Sequence, residues 1–130
     1  MNRNEILEIL EDNGLNNVKE IKKNKDLFII KFRYEFDDLE LKGAEAYAND
    51  ESTSKIKDEK WHEDFYLPYL NDTAIDNVED IIDEISEEYD LQFEFFSYEL
   101  SREQMEYTEF VVVFFEEDID FNIDDLILDL

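Results

Sequence analysis

The chain has 130 residues, 43 % hydrophobic and 38 % charged, with a formal net charge of −26. This length suits one hydrophobic core, so we expect residues 1–130 to form a single domain. Cysteine is absent, which excludes disulfides, thiolate catalysis and cysteine-ligated metals and suits a reducing compartment. The N-terminal residues are amphipathic and acidic, and no apolar run approaches about 20 residues, so we expect a cytoplasmic protein without a signal peptide or membrane span.

The negative charge is concentrated in the second half of the chain. Residues 1–60 carry eleven basic and fifteen acidic side chains, whereas residues 61–130 carry one base, Arg102, and twenty-three acids. Binding to DNA, RNA or an anionic membrane depends on clustered cations, so we expect no direct nucleic-acid or membrane partner. Any charged partner of this protein should be basic.

The first elements predicted are a helix and a β-hairpin. Residues 4–13 have an apolar stripe that begins after Asn4 and ends before Gly14, which is typical of a capped helix. Residues 18–23 form a weaker strand. Residues 27–36 form a strong strand, because large apolar side chains occupy every second position: Phe28, Ile30, Phe32, Tyr34 and Phe36. Turn-forming residues separate the two strands, so a hairpin is expected.

A second helix is predicted after this hairpin. Asp37 and Glu40 stand three residues apart, as in a capping box, and apolar residues follow. Gly43 weakens this helix, because glycine disfavours a helix interior. Residues 49–60 are polar and are predicted to form a loop.

Two further helical segments are predicted next. The aromatic segment 61–70 should form one or two helical turns that end near Pro68. Residues 73–89 form the clearest element, with Thr73 as the predicted cap and apolar residues at steps of three and four. These apolar residues are Ile75, Val78, Ile82, Ile85 and Tyr89.

The last elements predicted are a second hairpin and an acidic tail. Residues 91–100 and 107–116 should be strands. The run 110–115 is apolar without alternation, so both faces of the sheet need a cover. The tail, residues 118–130, could supply it through its apolar positions, and so could a second copy of the chain.

The order of these elements predicts the fold class. We expect an α+β fold in which two β-hairpins form a four-stranded, mainly antiparallel sheet with helices packed on it.

The predicted helix at 73–89 carries seven acids off its apolar stripe and no base. They are Asp76, Glu79, Asp80, Asp83, Glu84, Glu87 and Glu88. Acids one turn apart repel by about 0.2–0.5 kcal/mol per pair, roughly 2 to 4 kcal/mol in total at low salt. Helix stability therefore does not explain them, and they predict a negative surface for a basic protein partner. The alternative is an acidic surface that serves only solubility.

Aromatic residues in the segment 61–70 form a second candidate contact. They are Trp61, Phe65, Tyr66 and Tyr69. These side chains could form an aromatic hot spot with an acidic rim, and the alternative is that they pack into the core. His62 is the only histidine, and Tyr66 stands where a zincin motif needs its second histidine. A catalytic zinc site is therefore not expected.

The acidic tail matches the pattern of a calcium-binding loop only in part. Asp118, Asp120, Asn122, Asp124 and Asp129 align with calcium-loop positions 1, 3, 5, 7 and 12. Ile123 stands where that loop needs glycine, so at most weak divalent-cation binding is expected and no cofactor is predicted. The chain has only two glycines, so it has no glycine-rich loop that could hold a phosphate, and no marked nucleophile stands beside its only histidine. We therefore do not expect this protein to be an enzyme.

The sequence thus predicts a non-catalytic interaction protein. Its acidic helix would bind a basic protein, as an inhibitor, an immunity protein or a DNA mimic does, with help from the aromatic residues of 61–70. The alternative is a structural or self-associating homodimeric domain whose acidic surface serves only solubility. A third class is an enzyme or metal binder that uses clustered carboxylates.

Overall fold

The structure is a computed structural model that describes residues 1–53, 56–117 and 119–128, without the side chains of residues 127 and 128. Four α-helices, one π-helical segment and four strands follow one another in these residues. They are α1 (Arg3–Asp12), β1 (Asn16–Glu20), β2 (Leu27–Glu35), α2 (Asp38–Glu51), the π-helical segment (Trp61–Tyr66), α3 (Leu67–Tyr89), β3 (Gln92–Ser97), β4 (Tyr107–Phe115) and α4 (Ile123–Leu128).

The strands form one sheet in the order β1-β2-β4-β3, and every neighbouring pair is antiparallel. This confirms the predicted α+β fold with two hairpins. The hairpins meet at the central pair β2 and β4, where Phe28 lies opposite Phe114 and Phe32 lies opposite Phe110. The stacked rings of Phe32 and Phe110 have their centres 5.6 Å apart.

One face of the sheet carries three helices. Alternate residues of β2, among them Phe28, Ile30 and Phe32, are buried in a core shared with α1, α2 and α3. Each fully buried side chain of this size contributes about 1.5–3 kcal/mol of hydrophobic stabilisation. Of the predicted apolar stripe of α3, Val78, Ile82 and Ile85 are buried in this core, and Ile75 and Tyr89 are half-buried against it. The same helix also buries Leu70 and Ala74, which the predicted stripe did not include.

The other face of the sheet is covered by the tail. Its four buried residues are Leu27, Ile29, Val111 and Val113. Half-buried tail residues pack on them, namely Ile119, Phe121 and Leu126. The predicted cover is thus confirmed for these three residues, whereas Leu130 and the side chains of Ile127 and Leu128 lie outside the described part of the chain.

Helix α2 begins as predicted and ends later. The Asp37 carboxylate accepts a 2.8 Å hydrogen bond from the Glu40 N–H, and the Glu40 carboxylate accepts one of 3.0 Å from the Asp37 N–H. The helix then runs into the segment predicted as a loop from residue 49. Gly43 is accommodated because a Cβ there would lie 3.2 Å from the Tyr69 hydroxyl, so the glycine leaves room for that side chain.

The prediction that a helix ends near Pro68 is wrong. The Leu67 N–H donates to the His62 carbonyl, five residues back, and the π-helical segment continues directly into α3. This change of register places Pro68 in the first turn of α3, where an α-helix tolerates proline. Thr73 is therefore not a cap, and its hydroxyl donates to the Tyr69 carbonyl at 2.9 Å.

Strand β1 starts two residues earlier and ends three residues earlier than predicted. Lys22 has a φ of 48°, in the left-handed region, so the chain turns there instead of extending to residue 23. No described helix has both the length and the apolar character needed to cross a membrane.

Candidate functional site

The outer side of α3 is acidic along most of its length. All seven carboxylates predicted on this helix are exposed to solvent. They lie there because residues such as Val78, Ile82 and Ile85 recur at steps of three and four and turn the opposite side into the core. The structure therefore brings all seven predicted side chains together on one surface.

These carboxylates form two neighbouring rows along the helix. Members of a row are four residues apart, which is a rise of about 6 Å. The rows are Asp76, Asp80, Glu84 and Glu88, and Glu79, Asp83 and Glu87.

Asp72 extends the first row by one turn and was missed by the sequence analysis. It is exposed and lies four residues before Asp76, within α3, because this helix begins at Leu67 rather than near Thr73. Recognising that proline is favoured in a first helical turn would have extended the predicted helix to include it. We call Asp72 and the seven predicted carboxylates the acidic ridge.

The acidic ridge is not neutralised by the described part of the protein. The ion pairs found there join Arg3 to Glu20, Lys31 to Glu109 and Lys57 to Glu45, all away from α3. None of the ridge carboxylates forms a hydrogen bond or an ion pair with another described residue.

The ridge also has a high linear charge density. Its eight carboxylates span sixteen residue steps, or about 24 Å, which is one charge per about 3 Å of helix axis. A single DNA strand carries one phosphate per about 3.4 Å of its axis. The ridge therefore offers a basic surface a charge spacing close to that of a nucleic-acid strand.

Side-chain hydrogen bonds hold α3 in place. Asn77, beside the ridge, donates to the Tyr34 hydroxyl at 2.7 Å, and burial together with the hydrogen bond to Glu40 raises the pKa of Tyr34 to about 12. Near the end of the helix, the Tyr89 hydroxyl donates to Glu5 at 3.0 Å. The ridge is thus presented by a helix that is tied to the sheet, α2 and α1.

The predicted aromatic hot spot is corrected at Trp61. Its side chain is 2 % exposed, its ring stacks on Tyr66 with 4.9 Å between centres, and its Nε1 donates to Asn49 at 3.1 Å. Tyr66 and Tyr69 are half-buried against the core that the sheet shares with α1, α2 and α3. Core packing, the alternative interpretation, therefore describes Trp61, because its indole is enclosed and leaves little surface for a partner.

His62 and the predicted tail acids do not assemble a metal centre in the described residues. His62 is 8 % exposed, and its Nδ1 lies 2.9 Å from the Asp58 carbonyl oxygen. The described part of the chain contains no group of three or more histidine and carboxylate side chains placed to hold a metal ion. Asp118 and Asp129, the first and last positions of the calcium-loop alignment, lie outside it.

Comparison of the chain with models of protein families, with curated proteins and with solved structures finds no match.

Proposed function

We propose that this protein is a non-catalytic cytoplasmic binding protein whose acidic ridge docks on a basic surface of a protein partner. The proposal is based on the acidic ridge. Its eight carboxylates are exposed on one side of α3, and none of them forms an ion pair with a described basic residue. Inhibitors and immunity proteins that occupy the basic cleft of a nuclease use such a surface, and so do DNA mimics.

The electrostatics of α3 support a binding role over a purely structural one. With Asp72 in the helix, six acid pairs at i,i+4 and three at i,i+3 repel one another. At about 0.2–0.5 kcal/mol each, this repulsion destabilises the isolated protein by roughly 2 to 4 kcal/mol at low salt. A basic partner would relieve the repulsion on binding, and the ridge would accelerate its association by about 10-fold to 1,000-fold.

Self-association is not needed to cover the second face of the sheet. A second copy of the chain is one way to cover the second sheet face where the tail does not. Phe121 and its neighbours already pack on that face, with the Phe121 and Phe115 rings 4.7 Å apart edge to face. The remaining alternative, an acidic surface kept only for solubility, predicts no specific partner.

The experiment is affinity capture from extracts of the source cells at about 0.1 M and about 0.5 M salt, where the screening length shortens to less than half. We expect a basic protein that is retained only at the lower salt concentration. The captured protein is then purified, and its affinity is measured by calorimetry as a function of salt. A purified partner that is acidic, or whose affinity does not change with salt, would contradict the proposal.

A further inference from the structure

Helix α2 exposes apolar side chains along one side. Leu39 is 81 % exposed, more than any other large hydrophobic residue of the described chain, and Tyr47 is 42 % exposed. Ala46 is exposed next to Tyr47, and Gly43 lies between these residues and Leu39 without a side chain that would interrupt the surface. Steps of seven and eight residues keep the three apolar side chains on one side of a helix. We call Leu39, Ala46 and Tyr47 the α2 stripe.

The α2 stripe lies beside α3, because the two helices run antiparallel next to each other. At one end of their contact, the Asn77 amide of α3 donates to the Glu40 carboxylate of α2 at 3.3 Å. At the other end, the rings of Tyr47 and Tyr69 have their centres 5.2 Å apart. Asn77 and Tyr69 are about two helical turns apart, so the two helices are neighbours over that length.

The acidic ridge passes the same contact. Asp80 and Glu84 follow Asn77 by three and seven residues, so they project from the side of α3 that faces α2. Both carboxylates are exposed. A molecule that lies along the α2 stripe therefore meets apolar surface and negative charge together.

Building on the proposed function, we propose that the basic partner docks a positively charged amphipathic helix along the α2 stripe and the acidic ridge. The apolar side of that helix would cover Leu39, Ala46 and Tyr47, in the way that amphipathic helices bind apolar surfaces of other proteins. Its Lys and Arg side chains would meet the carboxylates of the ridge, which makes the two charge patterns complementary.

The dimensions and chemistry of this surface favour a helix over an extended basic segment. A helix of about 18 residues is about 27 Å long, close to the length of the acidic ridge. Its apolar residues, three and four positions apart, form one stripe beside a charged side, as the α2 stripe and the ridge do here. A disordered basic segment would satisfy the carboxylates equally well but would leave Leu39 in water.

The probe is the basic helical peptide acetyl-KLAKKLAKLAKKLAKLAK-amide, which has all its leucines on one side. The control peptide has the same composition with its leucines spread around the helix, so charge and helix propensity are unchanged. Each peptide is titrated into the ¹⁵N-labelled full-length protein at about 0.1 M salt and followed by NMR. We expect saturable shifts of the Leu39, Ala46 and Tyr47 amides, and binding of the first peptide at least about fivefold tighter than that of the control peptide.

Variants of the α2 stripe test the same surface from the protein side. Leu39→Gln should weaken binding of the amphipathic peptide about threefold, and Leu39→Gln combined with Tyr47→Gln should weaken it at least about fivefold. The single variant alters a side chain that is 81 % exposed, so the fold does not depend on it. The matched control is Tyr98→Gln, which changes an exposed aromatic residue that contacts Phe96, and it should leave the affinity unchanged.

Equal binding of the two peptides, shifts confined to the ridge, or an unchanged affinity of the Leu39 variant would overturn the proposal. Such a result beside an intact, salt-sensitive basic partner would remove the docked helix and leave the proposed function. Peptide binding that depends on Leu39, without any basic partner from the source cells, would remove the proposed function and leave the α2 stripe as a docking surface.

Discussion

The Tyr34 hydroxyl lies 2.5 Å from the Glu40 carboxylate and donates a hydrogen bond to it. Glu40 also caps the start of α2, and Asn77 of α3 donates to the same Tyr34 hydroxyl. The neighbouring elements β2 and α2 are therefore tied to the distant helix α3 at one point, halfway along the helix that carries the acidic ridge.

Removal of this hydroxyl should lower the free energy of unfolding. We expect Tyr34→Phe to cost about 1 kcal/mol, because it deletes a half-buried hydrogen bond and leaves the Glu40 and Asn77 side chains without a shared partner. Urea denaturation followed by circular dichroism measures the difference. Tyr98→Phe, at an exposed position, is the control and should change little. Equal stability of the Tyr34 variant and the unchanged protein would refute the role of this contact.

The same hydroxyl should make stability depend on alkaline pH. The pKa of Tyr34 is raised to about 12 from 10.0, mainly by burial and then by Glu40, so folding favours the protonated phenol. The stabilisation is complete below pH 10 and is lost as the pH rises towards 12. Denaturation at a series of pH values should show the advantage over Tyr34→Phe shrinking across this range. A constant difference between the two proteins would contradict the assignment.

The tail should be needed to cover the second sheet face. Phe121→Ala should destabilise the protein by about 2 kcal/mol, less than for a fully buried phenylalanine, since this ring is half-buried. The exposed surface over Ile29 and Val113 should also promote self-association, which light scattering detects. Asp120→Ala, at an exposed neighbouring position, should do neither. A Phe121 variant of unchanged stability would mean that the tail does not protect this face.

Neutralising part of the acidic ridge should stabilise the isolated protein. Glu84→Gln, Glu87→Gln and Glu88→Gln together remove four repulsive pairs, which we expect to add about 1–2 kcal/mol at low salt. Removal of negative charge near the C-terminal end of α3 adds to this gain through the helix dipole. Thermal denaturation at low and high salt should show the gain shrinking as the charges are screened. A loss of stability would indicate that these carboxylates serve the fold.

Much of the scaffold could be predicted from local patterns in the sequence. The alternation along β2 and the Asp37 and Glu40 capping box each depend on neighbouring residues alone, so both were predicted. The continuation of the helix past Pro68 was not, because it depends on a π-helical register in which Trp61 and Tyr66 stack inside the fold. Periodicity likewise predicted the exposed carboxylates of α3 but not Asp72.

Other features depend on contacts between segments that are distant along the chain. Gly43 weakened the prediction of α2. The folded protein has a glycine there because the Tyr69 side chain, which comes from α3, occupies the space next to it. An open cleft lies between the start of α3 and residues 97–103, which only the folded sheet brings beside that helix. Residue spacing alone contains no signal for either feature.

We propose that a basic partner recognises the arrangement of carboxylates on the acidic ridge and not simply the net charge of the protein. Two variants with the same change in net charge separate these explanations. The ridge variant carries Glu84→Lys, Glu87→Lys and Glu88→Lys. The control variant carries Glu94→Lys, Asp120→Lys and Asp125→Lys, at exposed positions away from α3.

The decisive measurement is the dissociation constant of each variant for the purified basic partner, determined by calorimetry at about 0.1 M salt. We expect the ridge variant to bind at least about 30-fold more weakly than the unchanged protein, and the control variant to stay within about threefold. Equal weakening of both variants would show that net charge alone drives the interaction, and an unchanged ridge variant would show that α3 does not bind the partner.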